Sequence, residues 1–326
     1  MQIKKTIDKI PGGLMVIPLL LGAIFNTFFP EVLAIGGFTT AMFSKTGALP
    51  ILGVFLFCMG SQLSFNAAPK ALKKGFILTA VKYAVGVIIG IGVGKAFGAA
   101  GVLGLTPLAI IAAMTNSNGG LYVALSGEFG DETDVGAVSV LSINDGPFFT
   151  MVALGASGFA SIPWQAFVAV ALPITLGMIL GNLDPDMRKF LAQGEKLMIP
   201  FFAFPLGAGM NLYDIVNAGG SGIILGVMTA VITGFAGFFA LALFREKPLC
   251  GLAEGSTAGN AVGTPLAIAA ADPAMQALVP VATAQIAASC LVTAFLCPVI
   301  VVMMDKYLTK KGSSWARVPK PSSPAC

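Results

Sequence analysis

The sequence contains no histidine, and only 10% of its 326 residues are charged. A soluble domain carries about 25% charged residues, so this chain falls outside the soluble classes. Without imidazole there is no Ser-His nucleophile pair, no H-E-x-x-H metal motif and no histidine-containing zinc spacing. Proton chemistry near neutral pH is left to Asp, Glu, Lys or Tyr. The five cysteines, Cys58, Cys250, Cys290, Cys297 and Cys326, form no C-x-x-C pair and read as small apolar packing residues. An intramembrane hydrolase would need paired aspartates, and Asp145 has no obvious partner. An enzyme is therefore not expected, nor a cofactor, a metal site or a nucleic-acid partner.

What is abundant is apolar surface: 56% of residues are hydrophobic and the mean hydropathy is +0.88. The apolar stretches are long, continuous and rich in Gly and Ala, unlike the period-two alternation of a transmembrane barrel. The expectation is an all-α polytopic membrane protein, one domain over residues 1–326. Runs long enough to cross about 30 Å of hydrocarbon give ten segments, near 11–29, 48–66, 76–97, 106–127, 135–157, 163–182, 197–217, 221–244, 251–271 and 276–304. With the N-terminus inside, the cytoplasmic loops collect Lys4, Lys5, Lys9, Lys70, Lys73, Lys74, Arg188, Lys189, Lys196, Arg245 and Lys247, whereas the outer loops keep only Lys45 and Lys95. This basic asymmetry places both termini in the cytoplasm. The basic first segment is kept as a span because no convincing small-residue cleavage site follows it. The Ser- and Pro-rich stretch 310–326 reads as a cytoplasmic tail.

The two halves match. Pro18, Gly22 and Pro30 recur at the same spacing as Pro173, Gly177 and Pro185. Gly60-Ser61-Gln62-Leu63 pairs with Gly209-Met210-Asn211-Leu212, and Asn118-Gly119-Gly120 with Ala258-Gly259-Asn260. Asn144 and Gln285 occupy matching offsets in the fifth and tenth segments. A duplicated unit with an odd number of spans must return inverted. Residues 11–157 and 163–304 are thus expected as two inverted repeats, a construction found in many secondary transporters.

The fourth and ninth segments are interrupted by Thr115-Asn116-Ser117-Asn118-Gly119-Gly120 and by Glu254-Gly255-Ser256-Thr257-Ala258-Gly259-Asn260. Broken helices at membrane depth survive only inside protein or against a cavity. Corresponding breaks in inverted halves point to a binding site. Half-helix N-termini offer N–H groups to a carboxylate, and Asn116, Ser117, Asn118, Asn144, Ser256, Thr257, Asn260 and Gln285 can bond the hydroxyls of a polar ligand. The plain alternative is a close helix crossing lined by small residues, but a crossing needs no asparagines and no glutamate.

Two acidic residues fall within the apolar segments, Asp145 and Glu254. An ionisable group at that depth is a functional candidate by default, and both are candidates for binding and releasing a proton. Asp145 could instead pair with Lys82 or with backbone freed at Gly146-Pro147, and Glu254 could lie at the cytoplasmic surface. Lys82 is expected to snorkel to the inner surface. The acidic loop Gly127–Asp134 reads as a solvated turn with Thr133 or Asp134 capping the fifth helix.

The stretches Ile10-Pro11-Gly12-Gly13-Leu14-Met15 with Pro18–Gly22, TNSNGGLY from Thr115, SINDGPF around Asp145, and AEGSTAGNAVGTP from Ala253 carry a resemblance. Together they make the chain similar to the 2-keto-3-deoxygluconate permease family of bacterial inner-membrane symporters, over nearly its whole length. The resemblance implies uptake of that sugar acid with protons. It also implies a fold similar to bile-acid and sodium/proton carriers, in which a core with two crossed, unwound helices moves against a panel of the first, second, sixth and seventh spans. The residues alone leave sodium open as the coupling ion, held by oxygens of Asn116, Asn144, Glu254 and Gln285. They also leave open a channel, although paired broken spans favour a carrier.

Overall fold

Two helix starts in this chain are written as a short polar cap followed by proline. Thr106 accepts the Ala109 N–H at 3.1 Å and Pro107 follows it; Asp184 accepts the Asp186 N–H at 2.8 Å and Pro185 follows it. Proline's fixed φ suits the first helical turn, and its missing N–H would have been unpaired there anyway. The computed structural model describes residues 2–7, 13–63, 69–144 and 146–316, and all regular structure among them is helical.

The main helices are α1 (Gly13–Phe28), α2 (Ala48–Gly60), α3 (Pro69–Phe97), α4 (Pro107–Thr115), α5 (Gly119–Phe129), α6 (Phe148–Ser157), α7 (Trp164–Leu183), α8 (Pro185–Gly207), α9 (Leu212–Met228), α10 (Gly234–Leu243), α11 (Thr264–Ala271) and α12 (Val279–Lys310). A π turn, Thr229–Thr233, joins α9 to α10. By length and hydropathy, four helical stretches among the described residues can cross a membrane unbroken, and three bent pairs raise the number to seven. One of those pairs is α4 with α5, bent by 41°.

The boundaries depart from the sequence reading in two places. The segment placed at 197–217 is instead the end of α8, which starts at Pro185 and stops at Gly207. The chain then breaks, and Asn211 caps α9 by accepting the Tyr213 N–H at 2.9 Å, so the next helix begins at 212 rather than 221. Likewise α3 begins at Pro69, about two turns ahead of the apolar run at 76.

Helices α1, α2, α7 and α8 form one group. In it α1 packs on α8 and α2 on α7. Gly22 on α1 lies against the Phe204 carbonyl and Gly177 on α7 against the Phe57 carbonyl, and a Cβ at either position would overlap that oxygen. Side-chain amides tie the same pairs at their ends. Asn26 donates to the Met210 carbonyl at 2.9 Å, and Asn182 to the Leu63 carbonyl at 2.7 Å. The outer face of α7 presents Leu172, Leu176 and Ile179 to the surroundings, as a lipid-facing helix does.

The remaining helices form a second body. There α3 lies along α4, α9 along α12, and α10 against the 3-10 turn Leu249–Glu254. Two apolar cavities mark the seam between the groups. One, of about 240 Å³, sits beside Leu49, Gly53 and Ala270 at the start of α2. The other, of about 360 Å³, sits beside Leu63, Ile143 and Phe149 at its end.

Candidate functional site

Each polar interruption unwinds the backbone where it falls. After α4 the chain is extended through Asn116, and the Asn116 Nδ2 donates to the Ala112 carbonyl at 2.8 Å, covering an acceptor that the helix end leaves unpaired. Asn118 then caps α5 by accepting the Leu121 N–H at 3.0 Å. In the second half the 3-10 turn Leu249–Glu254 gives way to residues 255–258, which have no regular structure, before a second 3-10 turn, Gly259–Gly263, leads into α11.

The two unwound stretches meet. The Asn118 N–H donates to Ser256 Oγ at 3.1 Å, and Ser117 donates its hydroxyl to Glu254 Oε1. Asn144 Nδ2 donates to Ser117 Oγ at 3.1 Å, which brings a third segment to the same place. Helix α12 closes the far side: Thr293 accepts the Thr257 N–H at 3.0 Å, Ser289 and Thr257 share a hydroxyl bond at 2.7 Å, and the Cys290 thiol points at the Ala258 carbonyl at 3.0 Å.

Lys82 corrects the sequence reading. Its side chain does not snorkel outward but is wholly buried, with Nζ donating to the carbonyls of Glu254 at 2.6 Å and Ser256 at 2.5 Å. The same nitrogen lies 3.9 Å from Glu254 Oε1, and both side chains are out of contact with solvent. Glu254 is thus a core residue and not a surface one. Unpaired burial of either charge would be expensive, so each charge needs the other.

The other expected residues divide. Asn116, Ser117, Asn144, Ser256 and Thr257 are buried at the meeting point or its wall, and Asn118 is half-buried. In the first turn of α5, Gly119 is half-buried and Gly120 is exposed. Thr115 is turned back, donating to the Ile111 carbonyl at 2.7 Å and facing the Thr150 hydroxyl at 3.3 Å. Asn260 is buried in the Gly259–Gly263 turn, whose end residues approach α1 and α2, Gly259 near Met15 and Gly263 near Leu52. Gln285 is not brought here: its amide nitrogen donates to the Gly104 carbonyl at 2.5 Å and to Ser221 Oγ at 3.0 Å, tying α12 to a distant loop. Asp145 lies outside the described residues.

Four oxygens in this region have no hydrogen-bond partner among the described residues: Asn116 Oδ1, Asn144 Oδ1, Glu254 Oε2 and Asn260 Oδ1. Buried acceptors are rarely left so. Four of them around a crossing of unwound segments suit a ligand rich in O–H donors.

The acidic loop also differs from expectation. Asp131, and not Thr133 or Asp134, caps the following helix, accepting the N–H groups of Thr133 and Asp134 at 2.9 and 3.1 Å. Asp134 is buried and paired with Lys74 at 2.5 Å. Lys70 and Lys73 meet Glu246 nearby, so the start of α3, the acidic loop and the segment after α10 lie at one end of the molecule.

Sequence reasoning sent Lys82 to the surface and passed over Ser289 and Thr293. Lys82 carried the clearest signal, as the one lysine well inside an apolar run. Ser289 and Thr293 are four residues apart and share a helix face.

The family model for 2-keto-3-deoxygluconate permease matches residues 4–310. "2-keto-3-deoxygluconate permease 1" of Salmonella typhimurium is 55% identical over 313 residues, covering 96% of this chain and 98% of that protein. The Bacillus subtilis protein named 2-keto-3-deoxygluconate permease is 40% identical, covering 99% of this chain and 98% of its own. The protein of that name from Pectobacterium carotovorum (strain PC1) is 42% identical, with 95% and 99% covered. Permeases move solutes and do not transform them. The chain belongs to the 2-keto-3-deoxygluconate permease family, a membrane transporter and not an enzyme.

Proposed function

We propose that this chain imports 2-keto-3-deoxygluconate with protons across the bacterial inner membrane by alternating access. The observation that carries the proposal is the buried meeting of the two breaks, with the Glu254 carboxylate at its centre and unpartnered carboxamide oxygens around it. The names of the relatives supply the substrate. Its hydroxyls would donate to Asn116, Asn144 and Asn260, with Ser256 and Thr257 in the wall. Its carboxylate would meet the N-terminal turn of α5 at Gly119 and Gly120, where backbone N–H groups and the helix dipole favour an anion.

Glu254 is the proposed proton site, with Asp145 as its companion. Asp145 follows Asn144, whose side chain bonds to the same Ser117 that holds Glu254. The moving parts would be the α1, α2, α7, α8 group as panel and the remaining helices as core, sliding at the seam where the two cavities lie. The reciprocal roles of Gly22 and Gly177 support a reading as ten spans in two inverted repeats, 11–157 and 163–304, with both termini cytoplasmic.

The test is uptake of labelled substrate by the purified protein in liposomes, under an imposed proton gradient and, separately, an imposed sodium gradient. Proton-driven accumulation that is lost in Glu254→Gln and Asp145→Asn is expected. Accumulation that follows sodium alone would move the coupling to that ion. If proton-driven uptake survives with both carboxylates neutralised, the proton-site assignment fails.

A further inference from the structure

We propose that the Lys82 ammonium is the resident cation of the helix crossing, occupying the position a sodium ion would otherwise take and so restricting the driving ion to the proton. The inference rests on the proton-driven reading above and adds the residue that sets ion choice.

The geometry is that of a cation site with its cation supplied by the chain. The carbonyl oxygens of Glu254 and Ser256, two residues apart across an unwound turn, both point at one nitrogen, at 2.6 and 2.5 Å. Glu254 Oε1 adds a formal negative charge at 3.9 Å. Carbonyls at an unwound half-helix end, together with a carboxylate, are the set that binds sodium in other broken-helix carriers. An ammonium brings one positive charge and three N–H donors to such oxygens.

The position is also held rigidly. Lys82 stands one turn before Gly86, where α3 lies so close to the end of α4 that a Cβ would sit 2.9 Å from the Met114 carbonyl carbon. Moving the ammonium away would take α3 with it or leave the charge buried without acceptors, which is costly. A tethered cation cannot dissociate during a cycle as sodium does. With the position permanently filled, only protonation remains to change the charge at the crossing.

A lysine that merely braced the fold would make the same contacts, so the test reads ion dependence and not stability alone. Thermal unfolding of the purified protein in detergent is followed in sodium chloride and in choline chloride, for wild type and for Lys82→Met and Lys82→Thr. Methionine keeps most of the side-chain volume, and threonine leaves room for an ion. The wild type should be indifferent to sodium. Lys82→Thr should be stabilised by it, with a rise in midpoint of about 4 °C, Lys82→Met should gain less because its side chain still fills most of the position, and the gain should disappear when Glu254→Gln is added.

Sodium-dependent stabilisation of the wild type would overturn the inference, and so would folded variants indifferent to sodium. Variants that fold only when sodium is present support it, and variants that fold equally badly in both salts count against it. Because this assay uses no substrate, its outcome is separable from a failure of proton-driven uptake.

Discussion

Ser117 gives its hydroxyl hydrogen to the Glu254 carboxylate, and the two residues stand 137 positions apart in the chain. The bond joins the break of one half to the break of the other, and Ser117 also accepts from Asn144. Removing the hydroxyl deprives a buried charge of a donor and a buried amide of an acceptor at once. Hydrogen bonds to charged groups contribute about 2 kcal/mol, or roughly thirtyfold in an equilibrium. If uptake is proton-coupled as proposed, Ser117→Ala should lower its initial rate under an imposed proton gradient by that order and displace its pH profile. A variant with wild-type rate and profile would show that the bond plays no part in coupling.

The tight crossings of α1 on α8 and α2 on α7 depend on glycines at matching places in the two halves. Gly22→Ala and Gly177→Ala each press a methyl into a backbone carbonyl. Overpacking of this kind costs about 1–3 kcal/mol, and both variants should melt earlier in detergent. Gly92→Ala on the exposed side of α3, with nothing within 4 Å of the added carbon, should melt no earlier than wild type. Equal behaviour of all three would mean that the close contacts are not what holds the group together.

The breaks were legible in sequence because Asn, Ser, Thr and Gly stand out against an apolar run, and unwinding at membrane depth needs those residues. The end of α8 was not legible. Hydropathy reports which surface suits lipid, whereas a helix continues as long as its backbone bonds do. The polar start of α8, from Pro185, and the lysine-rich start of α3 fell outside the apolar window although both are helical. Lys82 was misplaced for a related reason. Snorkelling assumes that water is the best available partner, and here two carbonyls freed by a break 172 and 174 residues away in sequence, those of Glu254 and Ser256, are better placed. Gln285 was drawn in by its repeat offset, which locates equivalent positions but not equivalent partners.

Asp131 should give its end of the molecule a measurable acid sensitivity. Partial burial opposes its charge, but the Thr133 hydroxyl, the Lys74 ammonium and the N–H groups of Asp134 and Thr133 outweigh that and hold its carboxyl below the usual range. A carboxyl whose folded value is depressed adds stability above its unfolded value, near 3.9, and loses it as pH falls through the folded value. The difference in unfolding midpoint between wild type and Asp131→Asn should stay constant from neutral pH to about pH 5. It should shrink below about pH 4. A difference that persists undiminished into strong acid would assign the effect to something other than this charge.

The open N-terminal turn of α5 separates substrate binding from stability. Gly120 is exposed, and a Cβ added there would lie 3.6 Å from Asn118 Oδ1, an ordinary contact. An aspartate in the first turn complements the helix dipole, an effect of about 0.3–1 kcal/mol. Gly120→Asp should therefore fold and melt at or above the wild-type temperature. If the substrate carboxylate sits at this turn, the new carboxylate occupies the same field and repels it. KM for uptake should then rise about tenfold or more, the range expected from losing one charge-assisted contact, while Gly120→Asn, of similar size but neutral, should change it far less. Equal KM values for the aspartate and asparagine variants would move the carboxylate to the other break, at the start of the Gly259–Gly263 turn.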